Sequence, residues 1–120
     1  MDTPKIFESE FRFCQILWDH EPVSSTELVR LCRERLGWKK STTYTVIKRL
    51  SERGVVRLEN AVVTALVSRE QVQTSESREI VDRAFGGSLP RFVAAFTSGK
   101  PLNREEAEEI RRLIDQYEEV

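Results

Sequence analysis

Residues 24–54 have the sequence SSTELVRLCRERLGWKKSTTYTVIKRLSERG, which predicts two short helices joined by a tight, basic connection. Ser24 and Glu27 have the three-residue spacing of a capping box, a pattern that starts a helix. Gly37 is the residue type that most often follows the end of a helix, and it closes the second helix of the chain. The third helix is then predicted from Ser41 to about Arg53.

The elements on either side of this pair predict the fold class. A first helix is expected from Ser9, as its N-terminal cap, to about Asp19. After the third helix, segments rich in β-branched residues at 55–58 and 62–67 flank a polar turn at Glu59-Asn60, which predicts a β-hairpin. Three helices followed by a hairpin are typical of the winged form of helix-turn-helix. We therefore expect a mainly α protein with a small β-hairpin.

The C-terminal part of the chain is predicted to be helical and to hold a dimer together. Helices are expected from residue 68 to about 85, from 88 to about 97, and onward from an N-terminal cap at Asn103. The apolar face of the helix at 88–97 is too large to stay exposed in a chain of 120 residues. The apolar face of the last helix is expected to point inward. We expect a winged-helix domain at 1–67 and a dimerisation segment at 68–120. The candidate dimerisation residues are Leu89, Phe92, Val93, Phe96, Ile110, Leu113 and Ile114.

The composition excludes several classes of protein. Apolar residues make up 39% of the chain and charged residues 32%, as in ordinary globular proteins, and no leader-like or membrane-length apolar run occurs. We therefore expect a cytoplasmic location. Cys14 and Cys32 are too few for a disulfide framework and lack metal-ligand spacing, so we expect two reduced core thiols. With His20 as the single histidine, no metal or other cofactor is expected.

The formal net charge of −1 conceals a strongly basic segment. Residues 28–57 contain nine basic residues and two acidic ones, whereas residues 68–120 carry more acidic than basic residues. Such a concentration of positive charge in a mildly acidic chain favours a polyanionic partner.

The third helix carries the residues expected to contact that partner. Stepping about 100° per residue places Thr43, Val46, Ile47 and Leu50 on a core side and short hydroxyl and basic residues on the other. Hydroxyl groups can donate to or accept from base edges, and a threonine methyl packs on thymine, while long cations reach phosphates or guanine. The candidate DNA-binding residues are Lys39, Lys40, Ser41, Thr42, Tyr44, Thr45, Lys48 and Arg49.

Other interpretations remain for these residues. A polar, basic helix face is often only a solvated face, and the hydroxyl run can act purely as a helix cap. A winged helix can also dock a protein partner through its hairpin and basic patch. Exposed aromatic residues on the groove face of the third helix would favour that function, and on this face only Tyr44 qualifies. An enzyme is disfavoured because no paired acid and base, phosphate-binding glycine loop or second histidine is present.

Two blocks of sequence resemble the penicillinase-repressor (BlaI/MecI/CopY) family. The first extends from Ser9 to about Val67 and includes KKSTTYTVIKRL at 39–50; the second is FGGSL at 85–89, followed by FVAAF at 92–96. The resemblance implies a homodimeric transcriptional repressor that binds double-stranded DNA at a palindromic operator and controls β-lactam resistance or related stress genes. It names no small-molecule substrate.

The resemblance also implies a route of inactivation. In β-lactam-responsive members, a membrane-bound metalloprotease sensor cuts an Asn-Phe bond, which corresponds by position to Ala95-Phe96. The family's asparagine is absent here. The C-terminal cysteine cluster of the copper-responsive members is absent too, and Asn60-Ala61-Val62 lacks the glycine and basic residues usual at the tip of the wing.

Overall fold

The computed structural model describes residues 3–119, which form two compact units; the first ends at Ser77 and the second begins at Arg78. The assignment of separate functions to 1–67 and 68–120 stays a prediction. Along the chain the elements are α1 (Glu8–His20), β1 (Val23–Ser24), α2 (Ser25–Leu36), α3 (Lys40–Glu52), β2 (Val56–Glu59), β3 (Val62–Ala65), α4 (Arg69–Phe85), α5 (Leu89–Gly99) and α6 (Arg104–Tyr117).

The core of the first unit lies between α1, α2, α3 and the sheet. Apolar residues at helical spacing put one face of each helix inward, because burying that face removes apolar surface from water. Phe13, Leu17, Leu28, Leu50 and Val63 are completely buried. The expected winged-helix arrangement of three helices and a hairpin is confirmed.

A short strand that the sequence did not predict joins the hairpin to α2. The sheet has the order β1-β3-β2, all antiparallel, with Val23 opposite Val63 in β1 and β3. Ser24 then caps α2 by accepting a hydrogen bond from the Glu27 amide at 3.1 Å, and Gly37 ends α2 with a φ of +69°. The predicted caps Ser24 and Gly37 are confirmed, but the Glu27 carboxylate accepts from Arg30 instead of completing a capping box with Ser24.

Several predicted boundaries differ from the structure by one or two residues, and three of these differences concern a cap, the start of α3 and the hairpin turn. The N-terminal cap of α1 is Phe7 rather than Ser9, because the Phe7 amide donates to the Glu10 carboxylate at 3.0 Å. Helix α3 begins at Lys40, with Lys39 as its cap, rather than at Ser41. The hairpin turns at Asn60-Ala61 rather than at Glu59-Asn60, since both residues have positive φ, the combination that suits a two-residue hairpin turn.

In the second unit, α5 and α6 contain no buried residue among those described. Ser88 and Asn103 cap the two helices through their side chains, as the sequence predicts for Asn103. The inward position expected for the apolar residues of α6 was wrong for the single chain, because Leu113 and Ile114 are 48% and 58% exposed. Among the described residues, no helix is long and apolar enough to cross a membrane.

Candidate nucleic-acid interface

Helix α3 has a buried face and an exposed face, divided as its periodicity predicts. Thr43, Val46, Ile47 and Leu50 are buried against the core. On the opposite side, the structure brings together the exposed residues Ser41, Thr42, Thr45, Lys48 and Arg49, with Lys39 and Lys40 exposed at the start of the helix. Seven of the eight candidate DNA-binding residues therefore lie on an accessible surface.

Tyr44, the eighth candidate, is only partly exposed. Its hydroxyl donates to the Ser25 hydroxyl at 3.1 Å, and Ser25 is the buried first residue of α2. The phenol therefore holds the start of α2 against α3. Because of this bond, the Tyr44 ring is less accessible to a base or to a protein partner than the sequence predicted.

The hydroxyl of Thr45 is already engaged within α3. Thr45 Oγ1 donates to the Ser41 carbonyl oxygen at 2.9 Å, one helical turn earlier. Its only proton is thereby used, so toward a ligand Thr45 offers an acceptor oxygen and a methyl group. In a DNA major groove these suit an amino group of adenine or cytosine and the methyl group of thymine.

Ion pairs neutralise part of the basic segment. Arg30 pairs with Glu27 and with Glu34, and Arg53 pairs with Glu10. Within residues 3–119, seven of the nine cations of residues 28–57 form no ion pair. These seven are Arg33, Arg35, Lys39, Lys40, Lys48, Arg49 and Arg57.

A cleft between α2 and α3 adds one residue to the candidate site. The cleft has a volume of about 340 Å³, and its lining includes Arg33, Lys40, Tyr44 and Val29. Arg33 and Lys40 place two unpaired cations around it, an arrangement that suits a backbone phosphate. Arg33 was not among the residues predicted for the site, although its place in the basic segment was a signal for it.

Glu10 and Arg53 tie the C-terminal end of α3 to the start of α1. Glu10 is buried, and its carboxylate accepts from both Arg53 and the Phe7 amide. Burial alone raises the pKa of Glu10, but the hydrogen bonds from Arg53 and Phe7 and the attraction of Arg53 outweigh it and lower the pKa below 4.5. The ionised pair therefore holds the end of α3 in place at neutral pH.

The wing is attached to α2 at its tip. Ala61 has a φ of +61°, and its carbonyl oxygen accepts a hydrogen bond from the Ser25 amide at 2.9 Å. The start of α2 and the turn of the hairpin are thus one connected structure. Of the strand residues, Arg57 on β2 is the exposed cation that the wing can offer to DNA.

The chemistry of the thiols does not favour a catalytic or metal site. Burial raises the pKa of Cys14 to about 12 and that of Cys32 to about 11, so both stay protonated at neutral pH. Both are buried and unbridged, which confirms the prediction of reduced core thiols. No group of three or more metal-binding side chains occurs within the described residues.

The comparisons with known proteins agree with this geometry. The model of the penicillinase repressor family matches residues 6–116. The chain belongs to the penicillinase repressor family. It is 22% identical to the methicillin resistance regulatory protein MecI of Staphylococcus aureus, over 94% of this chain and 95% of that protein. It is 20% identical to the penicillinase repressor of Bacillus licheniformis, over 95% and 92% of the two chains.

A solved structure of another protein has the same fold as the present chain. The monomeric form of Bacillus licheniformis BlaI, solved in solution in complex with the blaP half-operator, matches 59% of this chain and 93% of that one, with a TM-score of 0.52 and 21% identity. The family resemblance and the winged-helix fold inferred from the sequence are therefore confirmed. Because the chain belongs to a family of repressors, the prediction of a regulator instead of an enzyme is also confirmed.

Proposed function

We propose that the protein is a homodimeric transcriptional repressor that binds a palindromic operator, with α3 of each copy in the major groove. The exposed face of α3 carries this proposal, because it combines short hydroxyl residues with cations that have no ion-pair partner within residues 3–119. A helix of this kind fits the major groove, where side chains can contact base edges and phosphates. The half-operator complex of the related BlaI supports the same partner.

Six of the eight candidate residues, and Arg33, have a proposed role. Thr45, with Ser41 and Thr42, faces the base edges, while Lys48 and Arg49 reach phosphates or guanine. Lys40 and Arg33, on either side of the cleft between α2 and α3, hold one backbone phosphate. Because the proposed partner is operator DNA, we propose the cytoplasm as the site of action.

The second unit supports the dimer. Phe96, Leu89 and Ile114 are each more than half exposed, and α5 and α6 enclose an apolar groove of about 300 Å³ lined by Phe92, Phe96 and Ile110 among others. A single chain leaves this surface in water, whereas a second copy would cover it. Two-fold symmetry of such a dimer matches the symmetry of a palindrome.

A gel-shift titration with the DNA upstream of the protein's own gene tests the proposal. We expect a shift that weakens steeply with salt, because each neutralised phosphate releases counterions. In Lys48→Ala the logarithmic salt slope falls by about 1, while the matched control Lys100→Ala, an exposed lysine outside the winged helix, leaves it unchanged. Absence of any shift at low salt would contradict the proposal and favour a protein partner for the winged helix.

Release by proteolysis stays a prediction. The Ala95-Phe96 bond lies inside α5, and both residues are exposed in the single chain. Incubation with the family's membrane metalloprotease sensor, followed by mass spectrometry, tests for cleavage at this bond. Ala95→Asn, which restores the family's residue, is the matched variant, and cleavage of this variant alone would show that Ala95 protects the chain.

A further inference from the structure

The base of the wing is attached to the C-terminal end of α3. Only residues 53–55 separate α3 from β2. The Val55 amide donates to the Leu50 carbonyl oxygen at 2.9 Å, and the Leu66 amide donates to the Val55 carbonyl oxygen at 2.8 Å. Backbone hydrogen bonds therefore hold the base of the hairpin against α3, independently of the side chains at its tip.

The tip of the wing is connected to the N-terminal half of α3 through Ser25. The Ser25 amide donates to the Ala61 carbonyl oxygen at 2.9 Å, and the preceding residue, Ser24, pairs with Val62 in β3. The Ser25 hydroxyl accepts a hydrogen bond from the Tyr44 hydroxyl at 3.1 Å. We call Tyr44, Ser25 and Ala61 the wing-tip link.

The two hydroxyl groups of this link have little access to water. Ser25 is only 6% exposed, and Tyr44 is partly buried. A buried polar group that loses its partner costs free energy, because water cannot replace the lost bond. The bond between Tyr44 and Ser25 therefore opposes movement of the wing tip away from α3.

An attached wing has an advantage for binding DNA. Arg57, on β2, is exposed, and Tyr44 lies between Thr42 and Thr45 on α3. A loose wing must be ordered when Arg57 binds a phosphate, and ordering a segment on binding lowers the affinity. A wing that is already held beside α3 loses less conformational freedom.

We propose that Tyr44 is a positioning residue that holds the tip of the wing through Ser25, so that Arg57 and the exposed face of α3 meet DNA as one preformed surface. This inference rests on the proposed function. It gives Tyr44 a role other than contact with a base. All residues of the wing-tip link, and Arg57, belong to the first unit.

Binding to a duplex that carries one half-site, taken from the DNA upstream of the protein's own gene, tests the proposal on a single winged helix. Tyr44→Phe removes only the donor hydroxyl of the link, and Ser25→Ala removes its acceptor. Arg57→Ala removes the cation of the wing and is also combined with Tyr44→Phe. The matched control is Tyr117→Phe, at a tyrosine of α6 that is 75% exposed.

We expect Tyr44→Phe and Ser25→Ala each to weaken half-site binding about fivefold, within the range that one hydrogen bond contributes. Their combination should lose no more than either alone, because both remove the same bond. When Arg57 is already replaced by alanine, Tyr44→Phe should cost less than about twofold, because the wing no longer offers its cation. The control keeps the affinity of the unaltered protein.

Three binding results would overturn the proposal. A loss in Tyr44→Phe that Ser25→Ala does not reproduce would mean that the Tyr44 hydroxyl contacts DNA directly. An undiminished loss after Arg57→Ala would mean that the link supports a part of the interface other than the wing. The third is an unchanged affinity of Tyr44→Phe for a half-site that the unaltered protein binds.

Amide hydrogen exchange without DNA distinguishes failure of this proposal from failure of the proposed function. The Ser25 amide reports the bond to Ala61 at the tip of the wing, and the Val55 amide reports the base. In Tyr44→Phe we expect exchange at Ser25 to accelerate about fivefold, with no change at Val55. Faster exchange at Ser25 alone, in a protein that binds no DNA, would contradict only the proposed function. An unchanged rate at Ser25, or equal acceleration at both amides through general destabilisation, would overturn the role of Tyr44.

Discussion

Thr45 is the residue at which base discrimination is best tested. Because its hydroxyl proton is held by Ser41, Thr45 offers DNA an acceptor oxygen and a methyl group. Thr45→Ala should lower the preference for operator over random DNA by about 1–3 kcal/mol, measured by competition binding. Thr45→Ser, which removes only the methyl group, separates the two contributions. Equal losses on operator and random DNA would exclude Thr45 from base contact.

Lys40 is expected to behave differently from Thr45. As a phosphate ligand beside the cleft, it contributes to affinity for any sequence. Lys40→Ala should weaken binding to operator and random duplexes by the same factor, and a loss confined to the operator would contradict the role in phosphate binding. Parallel titrations of the two duplexes at one salt concentration measure this.

Glu10 makes the stability of the winged helix depend on pH. Its folded pKa lies below the ordinary value of 4.5, so its contribution is fully present above pH 4.5 and is lost as the pH falls through the folded pKa. Glu10→Gln leaves Arg53 without its carboxylate and should lower the free energy of unfolding at pH 7 by about 1–3 kcal/mol. Urea titrations from pH 3 to 7 measure both effects. The control Glu8→Gln, at an exposed position on α1, should change little.

At the scale of elements, the hairpin turn carries local strain. Ala61 adopts a left-handed conformation that disfavours a side chain, and this costs roughly 1–2 kcal/mol. Ala61→Gly should therefore raise the free energy of unfolding by a net amount of about 0.5–1 kcal/mol, after the greater freedom of glycine in the unfolded chain is subtracted. Thermal denaturation checks the sign. Ala65→Gly in β3 is the control, and it should lower stability because strand geometry gives glycine no advantage.

The sequence predicted the elements that depend on near neighbours. The caps at Ser24, Gly37 and Asn103 and the buried face of α3 all follow from residues within one or two turns. Strand β1 was missed because it contains only two residues and exists through its pairing with β3. The predicted cap at Ser9 failed because the Glu10 carboxylate accepts from the Phe7 amide, and this bond starts the helix at Glu8, before Ser9.

The candidate site was likewise predictable only where it depends on near neighbours or on composition. Periodicity identified the exposed face of α3, and composition identified the basic segment. Pairing between distant residues was not accessible, since Glu10 and Arg53 are 43 positions apart and Arg69 lies 50 positions from Asp19. Sequence alone therefore overestimated the charge available to DNA and gave no indication of how α4 is attached.

At the scale of the whole molecule, the exposed faces of α5 and α6 predict the state of association. Introducing charge through Phe92→Asp with Phe96→Asp should convert a dimer into monomers, because two buried carboxylates would face apolar surface. Light scattering measures the mass. Leu66→Asp, at an exposed apolar position of the first unit, is the control and should remain dimeric. An unchanged mass of the double variant would contradict dimerisation through α5.

The absence of buried residues in α5 and α6 also bears on how long the protein survives in a cell. In a single copy no residue of these helices is buried, and proteases cleave segments that open transiently. Pairing would protect them, so scarce copies would be degraded faster than abundant ones. The cellular amount of the repressor would then rise more steeply with its rate of synthesis.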